Sequence, residues 1–215
     1  EKIPVNYILS HLAASEDIKE KSFTKKQIEK FLSISDEFED LTKKAVKKHL
    51  LNTSGILNYS DYQFDMVRSG IGLYGYGNDK QYKSKLKPVH SLYSSISQIH
   101  EVKKGESVGY NRAFIANKNC RIGIVPIGHA DGISRSVGNR KGKVLVNNSQ
   151  CDIIGNVCMD MIMIELNDEN IKEGDKVILF DENSQNSEKF AEYSNTISYE
   201  VLTSISNRIK RKFVI

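Results

Sequence analysis

Residues 1–85 alternate short apolar runs with one long amphipathic stretch, and this β-α-β order constrains the fold more than any other feature of the chain. Val5-Asn6-Tyr7-Ile8-Leu9 reads as a buried strand. Thr24 opens a helix, with Gln27 at the capping-box spacing. Ile28, Phe31, Leu32, Ile34, Phe38, Leu41, Ala45 and Val46 keep a helical period, and the interruption over residues 33–36 predicts two helices rather than one. His49-Leu50-Leu51-Asn52 is the next predicted strand, and Asp65-Met66-Val67-Arg68 leads a third into Gly70-Ile71-Gly72-Leu73-Tyr74-Gly75. Such alternation marks a parallel sheet with crossover helices. A βαβ unit takes ~30 residues and a closed βα barrel ~250, so this region accommodates about three strands. A sheet that small leaves edges and apolar faces bare, so the tail of a larger barrel is expected. The chain starts on Glu1 rather than methionine, which fits a piece of a longer polypeptide.

Past residue 85 the pattern changes. Residues 76–88 are polar, end in Pro88 and read as a linker. Short apolar runs then recur at 121–126, 143–146, 151–154, 161–166 and 176–180, separated by Lys104-Gly105, Asp131-Gly132, Asn147-Asn148 and Glu173-Gly174-Asp175. That spacing predicts an antiparallel β domain over residues 86–215, closing with short helices near 188–193 and 199–205. The fold class is therefore α/β plus all-β: an incomplete βα barrel at 1–85, then a β domain.

Composition narrows the function. Lys plus Arg number 31 against 27 Asp plus Glu, a net charge of +4. The basic residues are scattered except for Lys43-Lys44, Lys47-Lys48 and a cluster over 208–212, which argues against a nucleic-acid face. No apolar run is long enough to span a bilayer, and Glu1-Lys2-Ile3-Pro4 lacks the apolar region of a signal peptide. Cys120, Cys151 and Cys158 form no C-x-x-C pair and the histidines no H-E-x-x-H, so a reduced, cytoplasmic chain without a metal site is expected.

Three strings are candidates for chemistry. In Gly128-His129-Ala130-Asp131-Gly132 a histidine sits on a tight turn after a strand, placed for proton transfer near neutral pH; an Asp-Gly turn with a surface histidine is the plainer reading. Arg68-Ser69-Gly70-Ile71-Gly72 puts a guanidinium before glycines at a βα transition, and Asn52-Thr53-Ser54-Gly55 supplies hydroxyls and amides at the preceding one. Together they read as a phosphate cradle; singly, Arg68 reads as an ion pair and the second string as a helix cap. Val157-Cys158-Met159-Asp160-Met161 combines a buried thiol with methionines that more often fill a core.

In order along the chain, Ser10-His11-Leu12-Ala13-Ala14-Ser15-Glu16-Asp17, Asn52-Thr53-Ser54-Gly55, Phe64-Asp65-Met66-Val67-Arg68-Ser69-Gly70-Ile71-Gly72-Leu73-Tyr74-Gly75, the Gly128 string, Gly155-Asn156-Val157-Cys158-Met159-Asp160 and Tyr199-Glu200-Val201-Leu202 resemble the motifs of alanine racemases. The first of them and Ile209-Lys210-Arg211-Lys212-Phe213 look most like the form fused behind UDP-N-acetylmuramoyl-tripeptide–D-alanyl-D-alanine ligase. The resemblance implies a pyridoxal 5'-phosphate-dependent racemase of alanine serving peptidoglycan synthesis. It also implies a homodimer with sites shared across subunits. Arg68 matches the arginine at the cofactor's pyridine nitrogen, where a cation weakens the ring as an electron sink. Thr53 matches a phosphate-binding serine, Gly70 and Ile71 backbone donors to that phosphate, and Tyr199 a tyrosine that reaches it. His11 matches the histidine that supports the catalytic tyrosine, and Met159 the residue whose N–H meets the substrate carboxylate from the partner subunit.

The chain departs from the family at two points. The Schiff-base lysine belongs upstream of the position matching His11, so it is expected to lie outside this chain, which alone would be inactive. His129 stands where the family has the tyrosine that moves a proton on one face of Cα. Histidine accepts a proton more readily than tyrosine near neutral pH but is shorter. The alternatives are a non-catalytic cofactor-binding or dimerisation module and a serine racemase, with a decarboxylase further off.

Overall fold

The computed structural model describes residues 4–77, 80–82 and 85–214, so part of the linker region lies outside the described residues. It divides into two compact units, Glu1–Val89 and His90–Ile215.

In the first unit β1 (Tyr7–Leu9) and β2 (Lys47–His49) pair in parallel, Tyr7 opposite Lys47 and Leu9 opposite His49. The crossover is α1 (Lys21–Thr42). Its buried positions, Thr24, Ile28, Phe31 and Ser35, recur at helical spacing and form one face. Ile28 and Phe31 pack on Leu12, Leu50, Leu51 and Tyr59 to make this unit's core. The helix starts earlier than Thr24 predicted. Asp17 caps a 3-10 turn, Ile18–Glu20, that runs straight into α1, while Thr24 is buried and its hydroxyl donates to Ala14 O. Nor does it break at residues 33–36: Ser35 Oγ donates to Phe31 O at 2.8 Å, so a polar residue rides inside the helix at little cost. It ends at Lys43, in the left-handed region (φ 54°). After β2 comes α2 (Thr53–Asn58), capped by Asn52. The predicted third strand shrinks to one parallel bridge, His49 to Met66, flanked by backbone bonds from Asp65 N to Lys48 O and Arg68 N to Leu51 O, before the 3-10 helix Ile71–Tyr74.

The second unit is built on an antiparallel sheet. Its strands are β3 (Leu92–Ser95), β4 (Gln98–Val102), β7 (Cys120–Val125), β8 (Lys143–Val146), β9 (Ser149–Ile154), β10 (Ile162–Leu166) and β11 (Lys176–Phe180), in the spatial order β3-β11-β8-β9-β10-β7-β4. The edge strands β3 and β4 are joined through Ile96 and Ser97, whose N–H groups donate to Asp175 O and Ile124 O, so the sheet curls back on itself. Val125, Val144, Ile153, Ile162, Ile164 and Val177 fill its interior. A separate hairpin pairs β5 (Ser107–Val108) with β6 (Phe114–Ile115). The short helices α3 (Ser187–Glu192) and α4 (Ser198–Ser204) close the unit, with Phe190 and Val201 buried in its core. Among the described residues no helix is long and apolar enough to cross a membrane.

Candidate functional site

In the first unit three chain segments leave the C-terminal side of the parallel pairing, the side where such sheets carry their sites. Ser10 and His11 follow β1, His49 to Thr53 end and follow β2, and Arg68 to Ile71 follow the Met66 bridge. Arg68 gathers all three. Its Nη2 donates to Ser10 O (2.8 Å) and Leu50 O (3.1 Å) and lies 3.2 Å from His11 Nδ1. Its Nη1 donates to His49 O (3.3 Å) and His49 Nδ1 (2.7 Å). The Nε–H is left without a partner among the described residues. The plain reading of Arg68 as half of an ion pair is therefore replaced: carbonyls and imidazoles hold the guanidinium.

An arginine has no lone pair to give, so His49 Nδ1 must accept and its proton sits on Nε2. Burial first, and the neighbouring Arg68 charge second, push the His49 imidazole below its ordinary pKa and keep it neutral. His11 faces two donors, Arg68 Nη2 at Nδ1 and Asn52 Nδ2 at Nε2 (3.3 Å). Asn52 cannot turn its oxygen there, because Oδ1 already accepts from Gly55 N (2.9 Å) and Ser15 Oγ (2.9 Å). A neutral imidazole has one lone pair, so exposed His11 bonds one of the two donors at a time and carries its proton on the other nitrogen.

Thr53 is buried, and its Oγ1 accepts from Gly70 N (3.0 Å) and Gly72 N (3.3 Å). Its O–H has no acceptor among the described residues and stays available as a donor. Gly70 N–H is occupied by Thr53, but the space beside its Cα is open, with nothing within 4 Å of an added Cβ. Ile71 opens a 3-10 helix, the end at which N–H groups lack helical partners. Thr53 O–H and Ile71 N–H are thus two donors without an acceptor among the described residues.

In the second unit His129 opens the 3-10 helix His129–Asp131 after β7 and is exposed. Two backbone bonds, His129 N to Cys158 O and Ala130 N to Met159 O, both 3.0 Å, strap this loop to the Met159 loop. A Cβ on Gly128 would stand 2.4 Å from both carbonyl oxygens, so this approach requires glycine. Met159 is 59% exposed. Burial raises the pKa of the Cys158 thiol above its ordinary value, which keeps it protonated. Tyr199 lies half-buried in the first turn of α4. A cleft of about 380 Å³ beside His129 has Ile133, Phe190, Val201 and Ile205 as its apolar lining and Arg135 and Glu200 as its charged one.

The structure thus brings His11, Thr53, Arg68, Gly70 and Ile71 together in one unit, and His129 and Met159 in the other. The sequence marks His49 only as a strand residue and Arg208 only as part of a basic cluster, whereas Arg208 pairs with Asp131 and Asp160. For His49 a signal was present, since it ends a strand just as His11 follows one.

Family models for the N-terminal and C-terminal domains of alanine racemase match residues 1–78 and 89–213. Alanine racemase of Helicobacter pylori (strain G27) is 35% identical over 223 residues, covering 99% of this chain and 59% of that protein. That of Clostridium tetani is 34% identical over 219 residues, covering 99% and 56%. Among solved structures, alanine racemase from Bacillus anthracis with bound L-Ala-P superposes with a TM-score of 0.87 at 30% identity, covering 96% of this chain and 54% of that one. Alanine racemase from Bartonella henselae with covalently bound pyridoxal phosphate gives 0.84 at 33% identity, covering 97% and 56%. The chain therefore spans between 54% and 59% of the length of these relatives.

Proposed function

The chain belongs to the alanine racemase family, and on that premise we propose that it is part of a pyridoxal 5'-phosphate-dependent racemase interconverting L- and D-alanine. The observation that carries this is the Arg68 cluster: a guanidinium held by strand-end carbonyls with its Nε–H left over, in the same unit as the Thr53 O–H and Ile71 N–H donors. The residues present fit the cofactor. Thr53 O–H and Ile71 N–H would bind the phosphate and Gly70 leaves it room; the hydroxyl of Tyr199 is assigned to it by the resemblance of the motifs alone. Arg68 Nε–H binds the pyridine nitrogen. Pyridoxal phosphate, when bound, supplies the electron sink that makes the substrate Cα proton removable. A guanidinium can only donate, so Arg68 would leave that ring nitrogen as an acceptor and restrain the sink.

His129 moves the Cα proton on one face through an imidazole nitrogen, and Met159 N–H binds the substrate carboxylate. His11, which bonds one of Arg68 and Asn52 at a time, is assigned by the resemblance of the motifs to support the residue in the tyrosine's place. A lysine outside this chain serves the opposite face, and a second copy completes each site. The role in cell-wall precursor synthesis and a ligase fused upstream rest on the resemblance of the motifs, and a cytoplasmic setting on the cysteine pattern.

The test is the full natural polypeptide purified and assayed for bound pyridoxal phosphate and for conversion of L- to D-alanine. A protein that binds no pyridoxal phosphate overturns the proposal. One observation favours a second reading, a non-catalytic binding module: the histidine in place of the family's tyrosine. In the complete protein His129→Tyr separates the two. Lost activity shows histidine at work, and a large gain shows a damaged site.

A further inference from the structure

We propose that Arg208 is a positioning residue that clamps the His129 loop to the Met159 loop, fixing the spacing between the proton-moving imidazole and the carboxylate-binding N–H. The functional half of this rests on the roles assigned above to His129 and Met159. Arg208 forks onto Asp131, Nε to Oδ1 at 2.6 Å and Nη2 to Oδ2 at 3.0 Å. The same Nη2 reaches Asp160 Oδ1 at 2.6 Å. Asp131 lies two residues past His129, and Asp160 directly follows Met159, so one guanidinium holds both loops.

Two features separate this from an ordinary surface ion pair. Asp131 is only 4% exposed, and its Oδ2 also accepts from Gly128 N at 2.8 Å, tying the carboxylate to the backbone just before His129. A half-buried bidentate pair is geometrically specific in a way that an exposed pair is not. The segment that delivers Arg208 is itself docked on the same loop. Ser206 N donates to Asp131 O at 3.1 Å, and Ser204 Oγ donates to Gly132 O at 3.0 Å. Gly132 has φ +102°, and a Cβ there would stand 2.3 Å from Ser204 O, so only glycine admits the segment. Arg211 fixes the segment's shape by donating to Ile205 O, Ser206 O and Ile209 O. Substrate then meets two loops whose separation is set by a side chain that touches neither substrate nor cofactor.

The experiment uses the full natural protein and its Arg208→Ala, Arg208→Lys and Asp160→Asn variants. Backbone hydrogen exchange is read at His129 and Ala130, whose N–H groups bond Cys158 O and Met159 O, with β10 as internal reference. Arg208→Ala is expected to speed exchange at both amides about tenfold and leave β10 unchanged, with Arg208→Lys partly restoring it. Asp160→Asn, which keeps the Asp131 fork, loosens Ala130 a few-fold and serves if the alanine variant fails to fold. Turnover of alanine falls about a hundredfold in Arg208→Ala while pyridoxal phosphate stays bound, and KM rises. Unchanged amides, or exchange faster throughout the unit, overturn the clamp. Selective loosening in a protein whose parent does not racemise alanine upholds the clamp and removes the activity. Selective loosening with unchanged turnover in an active parent overturns the functional half.

Discussion

Replacing Arg68 by leucine should loosen the ends of both strands in the first unit. The guanidinium serves three carbonyls, of Ser10, His49 and Leu50, and two imidazole nitrogens. Hydrogen bonds to a charged group contribute about 1.5–3 kcal/mol each, but five made by one group do not add. Removing one partner of a fully buried charged network costs about 3–5 kcal/mol. Arg68 is half-buried, so water reaches some of the orphaned acceptors, and about 2–3 kcal/mol is the appropriate figure. That free energy corresponds to opening about thirty to a hundred and sixty times more often. The assay is native-state hydrogen exchange on the full protein, read at Ser10, whose N–H donates to His49 O, and at Lys47, whose N–H donates to Asn6 O, with β10 as reference. A second signature is His49. Losing the Arg68 charge should raise its pKa, yet leave it below the ordinary value because burial remains the larger cause. Unchanged exchange at Ser10 and Lys47, or a His49 pKa that falls, would refute the reasoning.

Three further outcomes follow from the same geometry. Thr53→Val, which removes the hydroxyl that accepts from Gly70 and Gly72, should weaken pyridoxal phosphate binding by about ten- to a hundredfold in equilibrium dialysis, while Thr53→Ser retains it. Gly128→Ala places a methyl 2.4 Å from two carbonyl oxygens and should destabilise the second unit by about 2 kcal/mol in urea unfolding; an unchanged midpoint contradicts the packing described. Asp131 has its pKa lowered below 3.8, chiefly by the Arg208 hydrogen bond, so its contribution to stability is present above that value and is lost as pH falls through its folded value. Unfolding midpoints measured from about pH 5 down to pH 2 should therefore fall less steeply in Asp131→Asn than in the parent.

Much of the fold could be read from the residues because local signals and tertiary structure agree. The strands of the β domain alternate between turns marked by glycine and asparagine, and β8 and β11 occupy the residues the pattern indicated. Where they disagree, the sequence misleads. Ser35 looks like a helix breaker until its hydroxyl is seen on Phe31 O, and Thr24 looks like a cap until Asp17 is seen to hold that role. The third strand is reduced to the His49–Met66 bridge and the backbone bonds on either side of it, Asp65 N to Lys48 O and Arg68 N to Leu51 O, before the glycines of residues 70–75. Motifs carried Arg68, Thr53 and His129 into view. His49 stayed hidden because Lys47-Lys48-His49 looks polar, although its ring lies buried against Arg68 and Tyr7. Arg208 stayed hidden because its main partner is 77 residues away along the chain, a pairing that no local pattern records.

Exchange of the alanine Cα proton with deuterated solvent tests the central claim most directly. With the full natural protein, each enantiomer should yield deuterated product of the opposite hand. His129→Ala should slow one direction of that exchange by about a hundred- to ten-thousandfold, the usual contribution of a positioned acid or base, while pyridoxal phosphate stays bound. Exchange at the parent rate in both directions in His129→Ala, or no exchange in the parent protein, would contradict the account.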